Sequence, residues 1–194
     1  ITLLTYPLLS MAYLVFWNFQ PVPSAIFFLA LTIFHWGQGD RYLSIKLHRA
    51  EYLVRSKKLS WLHIFARGSL PILLPGFLGN ETYRLFLESI VRQGGGSEMS
   101  LGWITQNQIL FLIVPLLLIS LQIICSLLKH KQEERIAFCT ELLESAFLFI
   151  WFLCIPPLWA LGTYFALWHS LRYGLRILWM DEVGRKNLLG GNSL

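Results

Sequence analysis

Residues 1–39 contain no Asp, Glu, Lys or Arg. As a single helix rising 1.5 Å per residue, such a stretch would be about 58 Å long, roughly twice the ~30 Å hydrocarbon thickness of a bilayer. It therefore predicts two membrane spans. Pro21 and Pro23, in Gln20-Pro21-Val22-Pro23, break it where two antiparallel spans need a turn. The rest of the 194 residues has the same character, 55% hydrophobic, 15% aromatic and only 14% charged. Soluble domains carry about a quarter charged residues, so a water-soluble enzyme, a secreted disulfide scaffold and a disordered tail are all excluded. The opening segment is not read as a cleaved signal peptide, because it lacks a basic start and a small-residue cleavage site. The chain begins on Ile1, and further sequence is expected to precede it.

Six spans are predicted, at about 1–19, 22–43, 60–79, 101–128, 136–155 and 158–180. They form an all-α, polytopic bundle with kinked or broken members, a single membrane domain over 1–194. Arg67, Gly68, Pro71 and Pro75 interrupt the third run, which points to a helix packed against neighbours rather than lipid. A polar stretch around Gly94-Gly95-Gly96-Ser97 separates the halves, and Pro156-Pro157 divides the last two spans.

Charge asymmetry orients this arrangement. Loops after spans 2, 4 and 6 collect Arg41, Lys46, Arg49, Arg55, Lys57, Lys58, Lys129, Lys131, Arg135, Arg185 and Lys186, against Arg84 and Arg92 opposite. The basic side is therefore expected in the cytoplasm, with both termini there. That also accounts for the net charge of +5 without a nucleic-acid partner. Trp17, Trp103 and Trp159 fall near outer span ends, and Trp61 and Trp179 near inner ends, as in an interfacial belt. Asn80-Glu81-Thr82 is a formal glycosylation sequon on the outer side and is read as chance. Cys125, Cys139 and Cys154 lie in apolar segments without a C-x-x-C pair, so neither a zinc knuckle nor a disulfide framework is indicated.

Ionisable groups inside spans are costly unless paired, so they are the best functional pointers in such a chain. Counted from the outer end of each span, His35 lies about 20 Å deep, His169 about 17–19 Å, His63 about 24 Å, and Glu141 and Glu144 about 18–22 Å. They share one layer, with Arg67 and Arg172 near it. Imidazole and carboxylate groups converging from several helices can hold a transition metal, a nitrogen-rich set favouring iron, zinc or copper. The alternative is that each histidine bonds a backbone carbonyl or neutral side chain across a helix interface. His63, near the start of its span, could equally face a headgroup, and His48 and His130, on basic loops, are assigned no role. Glu141 and Glu144, spaced i, i+3, share a helix face. They could orient a ligating imidazole, bind metal directly, or neutralise Arg172 or Arg67. Ser170 beside His169 does not make a triad. No Gly-rich phosphate loop and no clustered desaturase-type histidine motif occurs.

Three segments together resemble the Brp/Blh family of membrane β-carotene 15,15'-dioxygenases. They are Phe34-His35-Trp36-Gly37-Gln38-Gly39-Asp40, the run from Ala66-Arg67-Gly68 to Pro71 and Pro75, and Tyr164-Phe165-Ala166-Leu167-Trp168-His169-Ser170-Leu171-Arg172. The resemblance implies an all-helical membrane enzyme in which histidines hold non-haem Fe(II), molecular oxygen is the co-substrate, and the central double bond of β-carotene is split into two retinals. Carried over, His35 and His169 match family ligands, and His63 or Glu141, not carried over, could compensate for ligands that are missing. Glu141 or Glu144 matches an acidic position, and Arg67 and Arg172 look like packing or supporting positions. Asp40 would cap a helix, accept from an arginine, or steady the ligand helix. Phe34, Trp36, Phe165 and Trp168 would line an aromatic tunnel that a polyene enters from lipid.

The chain departs from the family pattern at two points. The family's last motif continues W-H-S-x-R-H, and here Tyr173 occupies the final position; an earlier His-Gly-x-x-Asp motif is absent from these residues. Two functions therefore stand side by side. One is iron-dependent cleavage of β-carotene to retinal. The other is a catalytically degenerate relative that binds carotenoid, or serves as a pigment-complex membrane subunit, without cleaving.

Overall fold

The computed structural model describes residues 2–78, 80–96 and 106–181. These residues form an all-α bundle, with no strand among them. In chain order the helices are α1 (Thr2–Phe19), α2 (Pro21–Lys46), the short α3 (Glu51–Arg55), α4 (Lys57–Leu78), α5 (Asn80–Gln93), α6 (Leu110–Lys129), α7 (Arg135–Cys154), α8 (Pro157–Thr163) and α9 (Ser170–Met180). A 3-10 turn, Gln132–Glu134, leads into α7, and a π-helical turn, Tyr164–His169, joins α8 to α9. Trp103, Arg185, Lys186 and Ser97, together with the first residues of the fourth expected span, lie outside the described residues.

Prolines account for several boundaries. Pro21 and Pro23 start α2, and Pro156-Pro157 ends α7 and starts α8, since proline tolerates the first helical turn but cannot continue a preceding one. Pro71 and Pro75 behave differently, because α4 stays helical through both. Most of α4 is buried, including His63, Arg67, Leu70, Pro71, Leu74 and Pro75, so it is the central helix of the bundle. The Tyr83 hydroxyl donates to the carbonyl of Ile72 at 2.5 Å, giving a backbone acceptor in this proline-interrupted region a partner from α5. The last expected span, 158–180, is helical throughout, with the π turn set in its middle.

α2 and α4 cross with backbone against backbone. A Cβ placed on Gly37 would stand 1.8 Å from the carbonyl oxygen of Ile64, and one on Gly68 would stand 1.8 Å from that of Ile33. The two glycines thus sit reciprocally under each other's helix, the small-residue packing by which helices approach closely in an apolar medium. Around this crossing lies a core of Trp36, Leu70, Leu74, Ile119, Leu148, Phe152 and Tyr164.

The outer surface is strongly apolar. Leu8, Leu9, Leu14 and Phe19 on α1 and Leu117, Ile124, Leu127 and Leu128 on α6 are all exposed. Water-soluble monomers rarely carry apolar patches of this extent. Among the described residues three helical segments are long and apolar enough to cross a membrane, namely Lys57–Leu78, Leu110–Lys129 and Gln132–Cys154. Together these features mark a membrane protein. Two segments outside the expected spans are helical. α5 is amphipathic, burying Tyr83, Leu87, Glu88 and Val91 while exposing Leu85. α3 lies in a segment whose Ala50, Tyr52 and Leu53 are completely buried.

Candidate functional site

Four helices bring their ionisable side chains to the middle of the bundle. α2 supplies His35 and Asp40, α4 supplies His63 and Arg67, α7 supplies Glu141 and Glu144, and the π turn with α9 supplies His169, Arg172 and Tyr173. Two groupings result, joined by a chain of ion pairs.

The first grouping centres on His35 and His169, whose ring centroids are 6.2 Å apart. The π turn inserts an extra residue into the helix, and such single turns recur at functional sites. His169 ends that turn. Its ring sits 5.7 Å from Trp36, 5.6 Å from Phe165 and 6.4 Å from Tyr173, the last stacked at 18°. His35 is exposed and His169 half-buried, so the pair faces outward from these residues. His35, Trp36, Asp40, His169, Arg172 and Tyr173 line one small cleft, and His35, Trp36 and Phe165 also line an adjoining apolar groove of about 260 Å³ with Phe28 and Leu31.

The second grouping is more enclosed. His48 donates through Nδ1 to Glu141 Oε1 at 3.1 Å, and its Nε2 lies 3.7 Å from Glu144 Oε1. His63 Nε2 lies 3.6 Å from Glu141 Oε2, while Gln122 on α6 approaches His63 Nδ1 at 3.5 Å. One ligand-type atom from each of His48, Glu141 and Glu144 falls within 4.8 Å of the others. His48 and Glu144 open onto an apolar cavity of about 470 Å³, walled by Leu43, Phe147, Trp151, Tyr164, Trp168 and Leu175.

Two guanidinium groups tie these halves together. Arg67, 1% exposed, donates to Asp40 Oδ2 at 3.0 Å, Ser145 Oγ at 3.0 Å and Glu144 Oε2 at 2.8 Å. Arg172 Nε lies 2.9 Å from Asp40 Oδ1, and its Nη1 donates to Glu144 Oε1 at 2.9 Å. Its guanidinium also covers the Trp168 ring at 4.9 Å. Glu144 thus neutralises both arginines, whereas Glu141 faces imidazoles.

The sequence assigned His48 no role, and the structure brings it against Glu141 and Glu144. The chain reverses after α2, with Arg49 in the left-handed region (φ 59°) and Ala50 N–H donating to Ser44 O, which folds His48 back over α7. The hint available was the apolar Tyr52-Leu53-Val54 amid basic residues, which marks the connector as buried rather than solvated. The aromatic residues also divide. Trp36 and Phe165 line the groove beside His35, Trp168 lines the larger cavity, and Phe34 belongs to neither lining but stacks on Trp61 at 5.7 Å. The Trp17 indole donates to the Ile90 carbonyl at 3.2 Å, packing on α5.

Comparison with known proteins decides the family. A family model described as Beta-carotene 15,15'-dioxygenase matches residues 2–192. The chain belongs to the β-carotene 15,15'-dioxygenase family. It is 30% identical over 190 residues to the "Probable beta-carotene 15,15'-dioxygenase Blh" of Halobacterium salinarum, covering 97% of this chain and 54% of that protein. It is 27% identical over 197 residues to the "Beta-carotene 15,15'-dioxygenase" of uncultured marine bacterium 66A03, covering 99% of this chain and 62% of that one. The chain therefore spans little more than half the length of these relatives. No solved structure matches it.

The family implies a bound iron, and the donor chemistry around His35 bears on whether this chain fits one. Two imidazoles from separate helices, with rings 6.2 Å apart, can supply two neutral nitrogen ligands to one ion, and imidazole suits ferrous iron.

Proposed function

We propose that this chain is a multi-pass membrane dioxygenase acting on β-carotene or a related carotenoid, with Fe(II) held by His35 and His169. The observation that carries the reading is the approach of those two imidazoles, from opposite ends of the chain, beside Trp36 and Phe165. The family relationship supports the substrate class. Overall, one double bond and one dioxygen become two aldehyde groups, two retinals when the central bond is the one split. Bound ferrous iron supplies the activation of dioxygen. The protein's own part is positional: Trp36, 5% exposed, gives a fixed edge for Phe165 at 4.8 Å, and the apolar groove beside them admits a polyene while excluding water. Asp40, Arg172, Glu144 and Arg67 hold α2, α4, α7 and α9 in register, which fixes the helices that bear both histidines.

In the bilayer the chain forms one domain of six spans with its basic loops and both termini cytoplasmic, a topology supported by the charge asymmetry. Expression in carotene-producing cells tests the activity: retinal should accumulate with oxygen, and purified protein should carry iron at about one per chain. Intact carotene, with no retinal and no iron, would refute the reading.

Tyr173 favours a second reading. Its phenol, stacked on His169, stands where the family motif continues with histidine. Phenol is a poor neutral ligand for ferrous iron, so the chain would then bind carotenoid, alone or within a larger membrane complex, without cleaving it. Co-purification of uncleaved pigment would favour this account.

A further inference from the structure

The carboxylates at the centre of the bundle outnumber the arginines that face them. Asp40, Glu141 and Glu144 carry three negative charges, while Arg67 and Arg172 carry two positive ones, and both guanidiniums are bonded to Asp40 and Glu144. Glu141, 2% exposed, has no permanent cation bonded to it and meets two imidazoles, with the Ser44 hydroxyl beside them. A buried charge in an apolar interior needs a countercharge. We propose that His48, Glu141 and Glu144 form a binding site for a divalent first-row metal cation, separate from the His35–His169 pair.

Independent of the acidic pair, His63 points to a ligand here. It is completely buried, its Nε2 has no hydrogen-bond partner, and it is aimed from below at Glu141 Oε2, itself unpartnered, at 3.6 Å. That separation is too long for a hydrogen bond but suits an outer imidazole that closes on a carboxylate once its other oxygen is bound. Metal–nitrogen and metal–oxygen bonds of about 2.0–2.2 Å set ligand atoms about 3–4 Å apart. Donor atoms of the three residues already lie within 4.8 Å of one another, so a contraction of about 1 Å in the longest separation completes the set. One imidazole with two carboxylates suits Mn²⁺, Fe²⁺ or Zn²⁺ better than the soft or all-oxygen cations. The arginine bonds on Glu144 hold that carboxylate in place, as outer contacts do for metal ligands. Access is provided too, because His48 and Glu144 both line the 470 Å³ cavity.

The site is independent of the proposed cleavage activity, and Co²⁺ serves as a probe that separates the two. The full chain is purified in detergent, stripped with chelator and titrated with Co²⁺, following the visible absorption of the bound ion. A His35→Ala/His169→Ala double variant should still bind one Co²⁺ per chain. Adding His48→Gln or Glu141→Gln to it should weaken that binding at least tenfold and abolish the rise in melting temperature that Co²⁺ produces. His48 is 20% exposed on a turn, so His48→Gln remains informative even where Glu141→Gln fails to fold. Two results would overturn the proposal. One is a double variant that no longer binds Co²⁺ at all. The other is unchanged Co²⁺ affinity in His48→Gln.

Discussion

Arg67 Nε donates to Asp40 Oδ2 across 3.0 Å, with both side chains buried. The same guanidinium reaches Ser145 and Glu144, so one side chain of α4 cross-links α2 and α7. Replacing it with methionine keeps the bulk and leaves Asp40 and Glu144 to share Arg172 alone. Breaking a buried pair from one side costs ~3–5 kcal/mol. Arg67→Met is therefore expected to lower the melting temperature sharply, and Arg67→Lys, which lacks the fork needed for three acceptors, should recover only part of the loss. Thermal unfolding in detergent, followed by circular dichroism, makes the comparison; equal melting of parent and Arg67→Met would contradict it.

The crossing of α2 and α4 gives a second prediction, about packing. Because the atoms that a Cβ would meet at Gly37 and Gly68 are backbone carbonyls, no side-chain rotation relieves the clash. Gly68→Ala and Gly37→Ala should each destabilise by ~3 kcal/mol or more, the upper part of the overpacking range. Gly162→Ala, at a position with open space, is the control and should be near neutral. Similar stability for all three would show that the helices cross less closely.

For the proposed carotenoid chemistry, His35→Ala and His169→Ala should each reduce retinal formation at least a hundredfold in carotene-producing cells, with the bundle still folded. Tyr173→His restores the family motif and should raise retinal output. No gain from Tyr173→His would mean that the phenol does not limit the site.

α5 supplies the pH test, since its charges lie outside the apolar spans. Arg84 is bonded to Glu81 at 2.5 Å and to Glu88, and its hydrogen bond holds the Glu81 carboxyl below the usual carboxylate range. A carboxyl whose pKa is depressed by folding stabilises fully above its unfolded value, about 4.3, and loses that contribution as pH falls through the folded value. Amide protection in α5, taken relative to the intrinsic exchange rate at each pH, should therefore fall below about pH 4 and not between pH 6 and 8, by a modest amount because the pair is exposed. Glu81→Gln should remove the acid-induced change; an identical acid response in that variant would rule out this pair as its origin.

The helices were legible where hydrophobicity alone defines them. A charge-free run of 39 residues with a proline pair inside it leaves little choice but α1 and α2. α5 escaped because its 14 residues are amphipathic and too short to register as a span. The prolines of α4 read as a break, yet α4 stays helical through both and is largely buried against its neighbours. Depth along a span follows from a fixed rise per residue, which is why residues on α2, α4, α7 and α9 could be grouped by height from sequence. His48 could not be, because its position depends on a chain reversal at Arg49 that no periodicity encodes.

The reciprocal fit of Gly37 and Gly68 has a mechanical corollary. With no side chains between them to act as a lubricating layer, α2 and α4 cannot slide, so His35, Asp40, His63 and Arg67 travel as one stiff plank. In the proposed carotenoid reaction, room for a long, rod-shaped guest would have to come from other elements, such as the π turn that joins α8 to α9.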